Sequence, residues 1–222
     1  RNDPRRLVVL PSDPWSVRQS RGDEAMIEAA TGEVKRTYPN LEVYIVTATP
    51  TASADVRAMG FKPLELWRQP FSYETVAQEL SLTRPDFGLV LGADVLDGYY
   101  SPVDAARMLL VADLMAAFGA KVSVLGFSFN SRPAKALREV FRLLDPGVVL
   151  NLRDAISLQR FDDFARKRAH LVADAAFMLT PRPDTAAVKQ IAATIARQRE
   201  QGRKVFVFNI HPMLFKKPEP AK

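Results

Sequence analysis

Apolar and polar positions along the chain fall into two alternating patterns. One is a short apolar run ended by glycine or proline, which predicts a buried strand. Such runs are Leu7 to Leu10, closed by Pro11; Leu41 to Thr47, closed by Pro50; and Leu64 to Trp67. They continue with Phe87 to Leu91, Lys121 to Leu125 ending at Gly126, Val148 to Leu152, His170 to Val172 and Lys204 to Ile210. The other pattern repeats apolar residues at helical spacing. Asp23 to Lys35 carries Met26, Ile27, Ala30 and Val34 on one face, with Asp23 and Glu24 where the helix dipole favours negative charge. Further helices are predicted over Ala52 to Met59, Tyr73 to Leu82, Ser101 to Phe118, Arg132 to Leu144 and Ala155 to Arg168. The last is Thr185 to Gln201, stopped by Gly202.

Short apolar strands separated by helices predict a parallel sheet covered on both faces. The expected class is α/β, a doubly wound, Rossmann-like sheet. The expected boundary is Leu179 to Asp184, which holds Pro181 and Pro183. It divides residues 1–180 from a helix, a strand and a basic tail over 181–222. That second piece reads as the start of another α/β domain that is mostly absent.

Composition narrows the class. The chain has 222 residues, 47% hydrophobic and 25% charged, which excludes a mainly disordered chain, a collagen and a coiled coil. No window reaches the roughly 18 uninterrupted apolar residues of a membrane span. The longest mostly apolar stretch, Val103 to Phe118, is broken by Asp104, Arg107 and Asp113. There is no cysteine, which excludes disulfides and thiolate chemistry, and two histidines do not make a histidine-rich metal centre. Lys and Arg number 31 against 25 Asp and Glu, a net charge of +6. That excess suits anionic small molecules or an anionic membrane surface. Basic residues do not interleave with aromatics, so nucleic acid is not an expected partner. The polar start, Arg1 to Arg6, shows no signal peptide, and the missing initiator Met reads as a processed or trimmed chain.

In open parallel sheets, ligands bind outside the carboxyl ends of the strands. The candidate residues are those that follow each strand. After the first come Gly22, Asp23 and Glu24, a loop whose free amides can hold an anion, or simply a charged helix start. Gly92, Ala93 and Asp94 follow the fourth, and Tyr99 and Tyr100 could stack on a sugar ring or cover a helix start. Gly126 to Asn130 offers Ser128 and Asn130 as donors, with Ser131 as a helix cap and Pro133 just inside. Arg153 can hold a carboxylate or phosphate bidentately, while Asp154, three positions before Ser157, can cap the next helix. Asp174 is a further strand-end carboxylate. Asn209 and His211 follow the last predicted strand, and His211 is the one imidazole placed for acid/base work. No P-loop, Gly-x-Gly-x-x-Gly, Gly-x-Ser-x-Gly or His-Glu-x-x-His is present.

Taken together, these loops resemble the polysaccharide pyruvyl transferase family. The matching segments are Gly22-Asp23-Glu24-Ala25, Gly92-Ala93-Asp94, Gly126 to Asn130, Arg153-Asp154-Ala155-Ile156-Ser157 and Ala173-Asp174-Ala175-Ala176-Phe177. Order and spacing agree over Leu7 to Leu214. The chain departs from the pattern where a glycine cluster is reduced to Gly92-Ala93, and where the second domain barely begins.

The resemblance implies a two-domain, glycosyltransferase-B-like architecture and a transferase. The implied reaction moves the enolpyruvyl group of phosphoenolpyruvate onto sugar hydroxyls in exopolysaccharide biosynthesis, with no cofactor and no metal. It also implies a glycan or lipid-linked sugar acceptor. The expected location is the cytoplasm, with peripheral association at the inner membrane face. Arg153 is the candidate cation, His211 the candidate acid or base, and Asp94 or Asp23 the candidate acceptor-side carboxylate. Gly22, Asp23, Glu24, Gly92, Ser128, Asn130, Asp154, Ser157, Asp174 and Asn209 are candidate substrate-binding residues. Two alternatives stand beside this reading: a sugar-nucleotide glycosyltransferase of the same fold, and a non-catalytic α/β binding module.

Overall fold

A computed structural model describes residues 4–18 and 20–208. Seven parallel strands form one sheet: β1 (Arg6–Leu10), β2 (Glu42–Val46), β3 (Lys62–Leu64), β4 (Phe87–Leu91), β5 (Lys121–Phe127), β6 (Val149–Leu152) and β7 (His170–Leu171). Their spatial order is β3-β2-β1-β4-β5-β6-β7. The order reverses between β1 and β4, the switch point where doubly wound sheets open a crevice at the carboxyl edge. Helices α1 (Arg21–Thr37), α2 (Pro50–Ala58), α3 (Tyr73–Thr83), α4 (Pro102–Ala117), α5 (Leu137–Leu143) and α6 (Ala155–Ala165) make the crossovers.

Alternation along each strand supplies the two faces. Val8 and Leu10 of β1 join Val90, Val124 and Leu150 in a core shared with α4, α5 and α6. Leu7 and Val9 point the other way, to Ile27 and Ala30 of α1 and Val56 of α2. Both faces are therefore apolar, which is why these strands read as continuous hydrophobic runs. Each fully buried Leu, Ile, Val or Phe contributes about 1.5–3 kcal/mol.

The chain divides into two compact units, 1–179 and 180–222. The first holds the sheet. In the second, helix α7 (Ala186–Glu200) starts at Thr185, whose side chain accepts a hydrogen bond from the Val188 amide. Val188 and Ile191 of this helix are exposed.

The structure corrects several predicted boundaries. The third strand lies upstream of the expected run Leu64 to Trp67. The chain curls after Leu64, with the Leu66 amide on the Leu64 carbonyl, and Trp67 is buried in the core as a plug. Strand β5 does not end at Gly126. It passes through a register shift with Gly126 at φ +41° and resumes at Phe127, paired with Leu152. The helix expected from Arg132 begins only at Leu137, and Ser131 is not its cap. The residue before Pro133 is steered away from helical backbone, and the Ala134 amide donates to the Asp97 carbonyl at 2.9 Å instead. Helix α6 stops three residues early, at Arg166 in the left-handed region. Residues 204–208 form no strand. A strand needs a paired neighbour, and none among the described residues takes that place. The rest of that run, residues 209 and 210, lies outside the described residues. One element was not predicted, a short 3-10 turn, Ala175–Met178.

Candidate functional site at the carboxyl edge

The β5 end is built by alternation. Phe127 and Phe129 are buried and Ser128 between them points outward. Phe129 packs on Phe161 and Phe164, with ring centroids 5.4 and 5.3 Å apart. That aromatic cluster holds the loop rigid from below.

Arg153 leaves β6 beside it. Its amide donates to the Phe127 carbonyl, its Nε donates to Ser128 Oγ at 2.7 Å, and its Nη1 meets Asp174 Oδ2 at 2.9 Å. Asp174 also accepts from the Ala176 amide through Oδ1 and so caps the 3-10 turn. Three strand ends thus meet on one guanidinium. Two of its five N–H donors are engaged with side chains here.

Asp154 and Ser157 form a relay. Asp154 Oδ1 accepts from the Ser157 amide and Oδ2 from the Ser157 hydroxyl, each at 2.7 Å. Ser157 Oγ in turn accepts from the Phe129 amide at 2.9 Å. Burial works to raise the Asp154 carboxyl, but the Ser157 side chain and amide and the Arg153 charge together hold it below its ordinary value. Ser157 is only 3% exposed, so it serves the site by placing Phe129.

The β4 end meets this loop. A Cβ on Gly92 would stand 2.5 Å from Phe127 Cβ and 2.6 Å from Leu96 Cδ1, so close packing demands glycine there. Ala93 follows at φ +40°, strained for a residue with a side chain, and its carbonyl accepts from the Ser128 amide at 2.7 Å. Asp97 is buried and acts as a hub. Its carboxylate accepts from the Tyr99 and Asn130 amides, each at 2.8 Å. Asn130 Oδ1 accepts from the Arg132 amide, which shapes the next turn. Asp94 Oδ2 accepts from the Tyr100 hydroxyl at 3.2 Å. The Asp94 charge, and then burial, push the Tyr100 hydroxyl above its ordinary pKa.

Asp94, Tyr100, Ser128, Asn130, Asp154 and Arg160 line a cleft of about 480 Å³. Ser128 belongs both to this cleft and to the Arg153 group. Gly22, Asp23 and Glu24 form a separate group. Gly22 is not in a loop before α1, as expected, but in its first turn, because Ser20 is the cap. Its Cβ would meet nothing closer than Ser20 Oγ at 3.7 Å, so packing does not require a glycine. Asp23 accepts from Ser12 Oγ at 2.6 Å, and Glu24 pairs with Arg18 and Arg21. Asn209 and His211 lie outside the described residues.

Two residues of the cleft escaped the sequence reading. Asp97 precedes Gly98, a turn signal that marks its loop but not its role as a hub. Arg160 lies one helical turn after Ser157, and its Nη1 donates to the Phe129 carbonyl at 3.2 Å. Among the described residues, no group of three or more His, Asp or Glu is placed to hold a metal ion.

A doubly wound α/β sheet with arginine, carboxylates and hydroxyls gathered at its carboxyl edge is a ligand-binding architecture. Comparison with known families narrows it: the family model described as "Polysaccharide pyruvyl transferase" matches residues 21–217. The chain belongs to the polysaccharide pyruvyl transferase family, a family of transferases with glycan acceptors. No curated protein is significantly similar in sequence. A solved structure described as an enoyl reductase domain of a polyketide synthase is 14% identical, covering 90% of this chain and 82% of its own. Its TM-score of 0.28 is too low to bear on fold or function. No helix among the described residues is long and apolar enough to cross a membrane.

Proposed function

We propose that the protein transfers the enolpyruvyl group of phosphoenolpyruvate to two hydroxyls of a sugar, making a pyruvate ketal for cell-surface polysaccharide. The reaction balances without a cofactor. Both sugar oxygens bond to the former enol carbon, and the bond from that carbon to the phosphate oxygen breaks. One hydroxyl proton ends on the methylene carbon, which becomes methyl, and the other on the departing phosphate.

The observation that carries this reading is the Arg153 guanidinium, held by Ser128 and Asp174 in a chain of this family. Its remaining N–H donors form the fork that a carboxylate or phosphate fits. In this reading Arg153 holds the anionic donor, and Asp94 takes a proton from a sugar hydroxyl. His211 gives the methylene carbon its proton. Gly22, where packing requires no glycine, leaves room for close approach at the first turn of α1. The enzyme works in the cytoplasm, at the inner membrane face where lipid-linked glycans are assembled.

The test is calorimetric titration of phosphoenolpyruvate, joined to phosphate release in the presence of sugar acceptors. Binding by the wild-type chain, lost in Arg153→Ala, is the expected result. Binding of a sugar nucleotide in place of phosphoenolpyruvate replaces the reading with a glycosyltransferase. Binding of neither replaces it with a non-catalytic module.

A further inference from the structure

The cleft beside Arg153 has a chemistry unlike that of Arg153 itself. Three carboxylates line it, those of Asp94, Asp97 and Asp154, against one cation, Arg160. Two of the three are occupied. Asp97 receives backbone amides on both oxygens, and Asp154 receives Ser157 on both. Asp94 differs. Only its Oδ2 has a partner among the described residues, the Tyr100 hydroxyl, so Oδ1 remains a strong acceptor. Such a wall repels phosphate and carboxylate and favours an uncharged donor of hydroxyl hydrogen bonds.

Tyr100, which lines the cleft, is one of an aromatic pair. Tyr99 and Tyr100 are 52% and 56% exposed, their centroids 5.5 Å apart and their planes at 86°. Neither is loosely displayed. The Tyr99 amide is tied to the buried Asp97, which also holds the Asn130 amide and, through its own carbonyl, the Ala134 amide. The loop between β4 and α4 is therefore fixed to the loop after β5 before any ligand arrives, which lowers the ordering cost of binding. An exposed ring beside a free carboxylate offers two contacts to one partner: a negative π-face for C–H groups and an acceptor for O–H groups. A pyranose carries both on one ring.

We propose that Tyr100 and Asp94 form the acceptor subsite for an uncharged pyranose, stacked on the Tyr100 ring with a hydroxyl on Asp94 Oδ1, while Tyr99 sets the Tyr100 ring. The proposal rests on the pyruvyl transferase reading for the fate of that hydroxyl, but not for its binding. In this arrangement anionic donor and neutral acceptor occupy chemically opposite compartments, with Ser128 at the join.

The test uses a panel of 4-nitrophenyl β-pyranosides with gluco, galacto, manno and glucurono rings. Binding is measured by saturation-transfer NMR on the full chain, without phosphoenolpyruvate. Wild-type protein should bind at least one neutral glycoside and bind the glucuronide less well. Tyr100→Ala should weaken that binding on the order of tenfold, the scale of one aromatic contact. Tyr100→Phe should retain most of it, because the face survives, and Asp94→Asn should weaken it. Both tyrosines are exposed, and unchanged thermal melts will confirm that the variants fold. Phosphoenolpyruvate binding should be the same in Tyr100→Ala as in wild type. Equal glycoside binding by wild type and Tyr100→Ala overturns the subsite, as does preference for the glucuronide or binding of no glycoside by wild type. Glycoside binding that depends on Tyr100, in a protein that ignores phosphoenolpyruvate, leaves the subsite standing and overturns the reaction instead.

Discussion

The two ends of the same sheet use charged residues in opposite ways. At the amino edge, charges are matched side by side across neighbouring strands. Asp86 accepts from the Arg6 amide and from the Arg5 side chain, and Glu42 lies between Lys62 and Arg6. These pairs run from β3 through β2 and β1 to the start of β4, and Tyr44 joins them, its hydroxyl donating to Glu42 at 3.2 Å and its ring lying under Lys62. At the carboxyl edge, carboxylates and hydroxyls are engaged mainly with loop amides, as in Asp97 with Tyr99 and Asn130, or Ser157 with Phe129. The result is a set of fixed loops, part of one arginine and, in the cleft, one carboxylate oxygen without a partner among the described residues. Ion pairs of the first kind are open to solvent on at least one side and worth little each. Amide anchors of the second kind are shielded, and losing one leaves an unsatisfied buried group.

The comparison breaks most sharply on activity. Arg153→Ala should lower phosphate release from phosphoenolpyruvate by about 100- to 1000-fold, the scale of one lost transition-state donor. Asp86→Asn, at the other end, should leave the rate unchanged under the same assay. Equal losses in both would erase the distinction.

Stability comes next. Gly92→Ala should cost about 1–3 kcal/mol in urea unfolding, because the new methyl meets Phe127 Cβ and Leu96. Gly88→Ala, at the second residue of β4, meets chiefly the flexible end of Met115, and should cost less. A similar loss, about 1–3 kcal/mol, is expected of Ser157→Ala, which leaves the Phe129 amide without its acceptor. Hydrogen exchange at Phe129 should rise in that variant.

The smallest effect belongs to the amino edge and to pH. For Glu42 the Lys62 hydrogen bond leads and outweighs burial, which acts the other way. For Asp86 burial, which raises it, is outweighed by the Arg6 amide and Arg5 together. Both carboxyls thus sit lower in the folded chain than in the unfolded one. Their contribution is fully present above the ordinary carboxylate value of about 4 and is lost as pH falls through the lower folded values. Melting temperature against pH should therefore fall less steeply below pH 4 in the Glu42→Gln, Asp86→Asn double variant than in wild type.

Much of the fold was legible because burial on both sides of a parallel sheet leaves a plain mark: apolar runs with glycine or proline at their ends. Phe87 to Leu91 was placed to the residue, and α1, α3 and α4 to within two. The errors share a cause. Leu64 to Trp67 reads as a strand, but the strand ends at Leu64, and Leu66 and Trp67 fill the core from outside it, since periodicity does not tell one buried segment from another. The run Arg132 to Leu144 reads as helical from its first residue because a serine–proline cap signal precedes it, yet a backbone bond from Ala134 to Asp97, 37 residues upstream, holds the chain off the helix until Leu137.

The site divides in the same manner. Sequence alone placed Ser128, Arg153, Asp154 and Asp174 after strands, and in a parallel sheet all strands end on one edge. That follows from chain direction and needs no coordinates. What only the tertiary structure decided is which of these groups stay available. Asp154, Asp97 and Asp94 are one residue type in similar loops. The first two are occupied by Ser157 and by backbone amides, and the third keeps one oxygen without a partner among the described residues, beside Tyr100. A hydrogen bond depends on distance and direction between residues far apart in the chain, which no local pattern encodes.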